Sequence, residues 1–220
     1  MDFSFQVIIR NLPYLLSAAK WTIALSLVGM AIGLVLGVLI CAARVSGNSW
    51  LRRAAGIYIS FFRGVPLLVQ LLMFFYMLPY VGLNLPATVA AVASIGMCSA
   101  AYIAEIVRGS LQAIPRGQAE AAEALGIAPL ALWRRILIPQ ALRIGLPSLM
   151  NELILLVKVS SLASVVGIGE LTRIAQNITG QTYRPLEIYL TAAVIYLVIN
   201  AVLATAGRAG ERRLSIGVGR

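Results

Sequence analysis

Along this chain long apolar stretches alternate with short polar, basic ones, and the length of each stretch decides what it is. Trp21 to Ala43 holds no charged residue, and Leu15 to Ala19 extends it beyond Lys20. A helix rises about 1.5 Å per residue, so about 20 apolar residues cross a hydrocarbon core of about 30 Å. Four more stretches follow: 54–80, interrupted by Arg63; 86–107, with Glu105 near its end; 141–166, interrupted by Asn151, Glu152 and Lys158; and 188–206. The pattern predicts an all-α membrane protein in which 15–43, 54–80, 86–107, 141–166 and 188–206 are five transmembrane helices of a single domain spanning 1–220.

Two connections are too long to be plain turns. One runs from Gly167 to Glu187, polar and punctuated by Gly180 and Pro185. The other, 116–139, contains Glu120-Ala121-Ala122-Glu123-Ala124-Leu125-Gly126 and then Ile136-Leu137-Ile138-Pro139. Ala, Glu and Leu favour a helix, and Gly126 suits the left-handed residue that ends one. Pro129 fits the first turn of a second short helix, with Leu132, Ile136 and Pro139 on its apolar side. The expected product is a helix-turn-helix across the membrane surface, slim at Ala121 and Ala122. On periodicity alone it is either an interfacial helix without a partner or an insert for a groove on another protein. Gly29, Gly33 and Gly37 line one face of the first span, suited to close approach of a helix from this chain or from a second subunit.

Composition agrees with lipid as the solvent: 60% of residues are hydrophobic, 12% are charged and the formal net charge is +10. The basic residues choose an orientation. Arg44, Arg52, Arg53, Arg108, Arg116, Arg134, Arg135, Arg143, Arg208, Arg212, Arg213 and Arg220 fall on one side, against Arg10, Lys20, Arg173 and Arg184 on the other. Positively charged loops stay in the cytoplasm, so the N-terminus is expected outside and the C-terminus inside. The excess charge thus reports topology; no polar basic groove offers itself to nucleic acid. The opening Met1-Asp2 lacks the basic run of a cleaved signal peptide.

Several chemistries fall by absence. There is no His, and Cys41 and Cys98 both lie in apolar stretches, which argues against a metal site, a disulfide framework or an imidazole-dependent catalytic residue. Neither Lys20 nor Lys158 sits in a glycine-rich phosphate loop, so any ATP belongs to a partner. No cofactor is expected. Polar groups within a span are costly, which makes Gln70, Asn151, Glu152, Lys158 and Ser161 candidates for a translocation pathway. Arg63 and Glu105 are close enough in depth to pair with each other. Glu152 and Lys158, six residues apart, do not share a face of a straight helix, whereas Asn151 and Lys158 do. Gly145 and Pro147 allow a break that would change this. A structural network holding helices together is the alternative use of these groups.

Glu-Ala-Ala, three residues, Gly, nine residues and Ile-x-x-Pro resembles the signature of the membrane subunits of ATP-driven, binding-protein-dependent importers. Ile138 stands where the family usually has Leu. Phe62-Arg63-Gly64-Val65-Pro66-Leu67, Ala104-Glu105-Ile106-Val107-Arg108-Gly109, Lys158-Val159-Ser160-Ser161-Leu162, Glu170-Leu171-Thr172 and Thr182-Tyr183-Arg184-Pro185 are similar to segments of its polar amino-acid branch. At Val159 the family often has an acid, and this sequence departs there. The resemblance implies a non-enzymatic permease subunit in a bacterial inner membrane. It implies that Glu120, Ala121, Ala122, Gly126, Ile136 and Pro139 form a coupling helix seated in an ATPase. The implied partners are two cytoplasmic ATP-binding subunits, a second permease subunit, identical or paralogous, and an external substrate-binding protein. An intramembrane Glu152 favours an ammonium or guanidinium cargo, such as basic amino acids and opine-like derivatives. An ion channel or ion-coupled carrier working without an ATPase is the competing reading, and it has no need of the Glu-Ala-Ala segment. An intramembrane enzyme is disfavoured, since no nucleophile-base pair is apparent.

Overall fold

Glycines that line a helix face remove the side-chain layer between helices, and here they decide the central packing. In the computed structural model, which describes residues 3–215, α1 (Phe5–Val45) lies against α4 (Ala87–Gln112) along Gly29, Gly33 and Gly37. A Cβ on Gly33 would sit 2.8 Å from Ser99 Oγ, and one on Gly37 would sit 2.8 Å from Ile103 Cβ. Gly96 of α4 returns the contact beneath Ile32, so the glycine stripe is consumed within the chain. Met30, Ile95, Ile103 and Leu156 bury the apolar side of this contact.

The remaining elements are α2 (Ser49–Gly64), α3 (Leu67–Leu72), α5 (Gly117–Ala124), α6 (Pro129–Leu132), α7 (Ile138–Val159), α8 (Leu171–Thr182) and α9 (Pro185–Ser215). Among the described residues, four helical runs are long and apolar enough to cross a membrane: α1, α4, Pro129–Val166 and Pro185–Arg212. The stretch expected as a straight second span is broken. Ser49–Gly64 and Leu67–Val81 meet at 105°, and counting this bent pair as one span gives five. Pro66 dictates the break, because its ring pushes the preceding residue out of the helical region; Val65 is extended, at φ −97°, ψ 133°.

The expected first span, 15–43, lies inside a longer helix, and two other expectations are corrected by the fold. The first helix begins at Phe5 and runs 41 residues, with Pro13 inside it. The second short helix of the 116–139 segment is not separate. Pro129–Leu132 passes through a wide turn at Trp133–Leu137, where Ile138 N–H donates to Trp133 O, directly into α7. That wide turn lies just ahead of Pro139, which has no N–H to continue an ordinary ladder, and a similar turn at Met73–Met77 precedes Pro79. Finally, Gly145 and Pro147 cause no break in α7; Gly145 instead lets α7 approach Ser110 of α4.

The two ends of the bundle differ. At one end Ser4 N–H donates to Glu187 Oε1 (3.2 Å), which brings together the starts of α1 and α9, and α8 packs beside them. At the other end the close of α1 and of α4 meet Trp133 and Ile138 around an apolar crevice, and Gly207 of α9 lies against Met150. Met1, Asp2 and Arg220 lie outside the described residues, as does the side chain of Arg213.

Candidate functional site

The Glu120 segment has a defined shape. α5 ends where Gly126 turns left-handed at φ +70°, and Ile127 N–H donates back to Ala122 O (2.9 Å) while Gly126 N–H donates to Glu123 O. Any residue with a Cβ is strained at that φ. Pro129 then opens α6 at its first turn. A reciprocal amide pair anchors the unit: Gln118 Nε2 donates to Gln140 Oε1 (3.0 Å) and Gln140 Nε2 to Gln118 Oε1 (2.6 Å). Sequence reading missed this pair, because two glutamines 22 residues apart carry no periodic signal.

Not every expected surface residue faces out. Glu120 and Ala121 are exposed, but Ala122 is 3% exposed and serves the chain's own packing. Ile136 and Pro139 are half-buried. The prominent apolar group at the tip is Leu125, 78% exposed beside Gly126, with Leu130 nearby in sequence and 69% exposed. Leu125 lay within the recognised motif, but its identity there hid that its side chain would point outward.

The second constellation gathers at the α2–α3 break. A cavity of about 280 Å³ is lined by Phe62, Val65, Leu67, Cys98, Tyr102 and Glu152, among others. Glu152 is 6% exposed and turned toward Ser99; Ser99 Oγ makes no well-aligned hydrogen bond, and the Glu152 carboxyl is the neighbouring group able to accept from it. Gln70, 1% exposed, does not line the cavity. Its Nε2 donates to Phe62 O (2.9 Å) and Val65 O (2.7 Å), satisfying carbonyls that the break leaves without helical partners. Ser161 Oγ likewise donates to Lys158 O (2.7 Å). Asn151 and Lys158 lie on the exposed side of α7, away from Glu152. Arg63 and Glu105 do not pair: Arg108 takes Glu105 through both guanidinium arms (Nε to Oε1 3.0 Å, NH2 to Oε2 2.5 Å), and Arg63 lies over the Tyr102 ring at 5.3 Å. A partner three residues away on the same helix is a neighbour on one face, whereas Arg63 belongs to a different helix, at the end of α2.

At the far end Glu170 caps α8. Its carboxylate accepts from Thr172 N–H (2.9 Å), Arg173 N–H (2.7 Å) and Tyr196 O–H (3.0 Å), while Leu171 N–H donates to Thr22 Oγ1. Burial pushes this carboxyl above its ordinary range, and those hydrogen bonds pull the other way.

The sequence profile of the binding-protein-dependent transport system inner membrane component matches residues 29–216. The chain belongs to this family. It is 39% identical to the glutamine transport system permease protein GlnP of Escherichia coli K12, covering 98% of this chain and 100% of that one. It is 42% identical to the octopine transport system permease protein OccM of Rhizobium radiobacter, covering 93% and 87%. Among solved structures, an amino acid ABC transporter crystallised with histidines matches with a TM-score of 0.92 at 37% identity, covering 97% of this chain and 100% of that one. The permease is therefore a multi-pass inner-membrane protein, a transport component of an amino-acid ABC importer and not an enzyme. Membership of the family implies ATP-binding subunits and a substrate-binding protein as its partners.

Proposed function

We propose that the permease couples two cytoplasmic ATPases to amino-acid import through the 116–139 segment, with Glu120, Ala121, Ala122, Gly126, Ile136 and Pro139 forming the coupling unit. The observation that carries this reading is the exposed α5 tip. Glu120, Ala121 and Leu125 face out, Gly126 fixes the turn, and the Gln118–Gln140 pair ties the unit to α7. A push on α5 is then a push on α7, the helix that carries Glu152. The N-terminus lies outside and the C-terminus inside, as the charge asymmetry favours.

The pathway runs past the Glu152 cavity and along the Asn151–Lys158 side of α7. Asn151 and Lys158 are polar groups within a span, which are costly against lipid, so that side is covered by a second permease subunit, identical or paralogous, or by a water-filled path. Glu152 recognises a cationic group of the cargo, in the manner of basic amino acids or opine-like derivatives. Gln70 and Ser161 support the pathway by holding backbone rather than cargo.

A photo-reactive residue placed at Leu125, and for comparison at Tyr80, tests the coupling assignment. The expected result is an adduct with the ATP-binding subunit from Leu125 and none from Tyr80. The reverse pattern would contradict both the orientation and the coupling role.

A further inference from the structure

The crevice between the close of α1, the close of α4 and the start of α7 has a volume of about 360 Å³ and an almost wholly apolar lining. Val38, Val45, Trp133, Leu142 and Leu149 line it, with the buried Cys41 among them. Its one side-chain hydroxyl, Ser110 Oγ, already donates to Ile106 O (2.8 Å). An ordered water needs about two to four polar partners, and a charged solute needs at least as many, so neither finds a hold here. An apolar occupant does.

The faces of α7 separate lipid from protein as that occupant. Leu142 precedes Asn151 by nine residues, and Leu149 precedes Lys158 by nine. At about 100° per residue, nine residues leave two side chains about 180° apart. The crevice therefore opens on the face of α7 opposite the one assigned above to a second permease subunit or a water-filled path. Val38, Val45 and Leu142 are 50%, 51% and 57% exposed, so lipid chains have access to its mouth.

Charge and depth then select the kind of lipid. The stretches that build the crevice, 38–45, 107–111 and 133–149, contain Arg44, Arg108, Arg134, Arg135 and Arg143 and no acid. Two of these are committed: Arg44 NH1 donates to Arg52 O, and Arg108 holds Glu105. Arg134, Arg135 and Arg143 are exposed and make no ion pair or hydrogen bond among the described residues. Trp133 stands directly before Arg134 and Arg135, and a Trp beside basic residues at the edge of an apolar span marks the headgroup level. From Ile138 to Leu149 the crevice follows α7 for about 16 Å, close to one leaflet of a hydrocarbon core about 30 Å thick.

We infer that the crevice binds one anionic phospholipid from the leaflet at this end of the bundle, with an acyl chain against Ala42, Leu142 and Leu149 and the phosphate on Arg134 and Arg135. The inference rests on the reading of the Asn151–Lys158 side given above. A lipid held there lies against the wide turn through which the Glu120 segment passes into α7.

The test uses the assembled importer in nanodiscs of phosphatidylcholine. A trace of phosphatidylglycerol, or in a parallel sample phosphatidylcholine, carries a photo-reactive diazirine on one acyl chain, and the labelled residues are mapped by peptide mass spectrometry. The phosphatidylglycerol probe is expected to label 38–45 and 133–149 at least about fivefold more than the phosphatidylcholine probe, and to be displaced by unlabelled phosphatidylglycerol but not by inorganic phosphate. Arg134→Gln with Arg135→Gln should bring that ratio to about one, whereas Arg52→Gln with Arg53→Gln, at the same end but outside the crevice, should leave it unchanged. Ala42→Phe, whose ring would occupy the crevice, should cut labelling there by both probes. The inference is overturned if the two probes label the crevice equally, if the Arg52 and Arg53 substitutions remove the preference as fully, or if inorganic phosphate displaces the probe. A crevice labelled by neither probe would mean that protein covers it, which overturns the inference too. Labelling around Asn151 and Lys158 as strong as at the crevice would instead sink the reading of that side on which the inference stands.

Discussion

Glu152 and Gln70 are both polar, both buried and close to the same break in the fold, yet their surroundings separate them. Gln70 spends its amide on two carbonyls, whereas Glu152 lines a cavity that it shares with Cys98, Tyr102 and Arg63, with the Ser99 hydroxyl beside it. Replacing Glu152 by Gln is therefore expected to cut uptake of a cationic substrate by more than about tenfold, since a charge-assisted contact is lost, while the complex still assembles. Uptake into vesicles, measured beside gel-filtration yield, checks this; undiminished uptake removes Glu152 from the pathway. Gln70→Leu should do the opposite, lowering thermal stability by roughly 1–3 kcal/mol per carbonyl left unsatisfied. Glu170 offers a pH test. Its carboxyl is raised above the ordinary value of 4.5, so the fold prefers it neutral. The stability it confers is fullest below that value and is lost as pH rises through the folded pKa. Glu170→Gln, which stays neutral, should gain on the wild type in Tm across that window and hold the gain above it. A wild type that gains on the variant with rising pH would contradict the assignment. Hydropathy marks such residues because a polar group in an apolar run is visible from composition. It says nothing of whether a backbone carbonyl satisfies that group, because the partner depends on where the chain bends.

At the scale of elements, the helices were legible in the sequence and their joints were not. The uncharged run from Trp21 to Ala43 lies within α1, and the Gly126 turn and Pro129 start were readable because few residues suit a left-handed φ or a first helical turn. The 105° bend escaped because a window average over 54–80 stays apolar through Gly64-Val65-Pro66. The join of α6 to α7 escaped because a wide turn has no sequence mark beyond the proline that follows it. The glycine stripe left two partners open until α4 was seen against it. Gly33→Val should push Ser99 and Ile103 out of place and destabilise the helix pair by about 1–3 kcal/mol or more, read as a fall in Tm of the purified permease. An unchanged Tm would mean that the α1–α4 contact is looser than described.

For the whole molecule, the arrangement is polarised along the bundle axis. One end carries the Ser4–Glu187 contact and the capped start of α8; the other carries α5, Gly126, the apolar crevice and most of the arginines. Two continuous connections link them, α1 over its 41 residues and α7 through the Gln118–Gln140 pair, with the Glu152 cavity between. A permease built this way relays an event at one end to the other by moving packed helices rather than by local chemistry. The charge pattern conveyed that polarity from sequence alone, while the crevice did not appear there, because its residues come from positions 38–45, 107–111 and 133–149 and meet only in the fold. Central to the account is the claim that the α5 turn couples ATP hydrolysis to transport. The direct measurement is ATP hydrolysis by the importer in vesicles, with and without substrate-loaded binding protein, for the wild type and for Gly126→Val. The wild type should be stimulated, and Gly126→Val should insert normally yet lose at least about nine-tenths of the stimulation, because valine is strained at φ +70°. Full stimulation in the variant would contradict the claim.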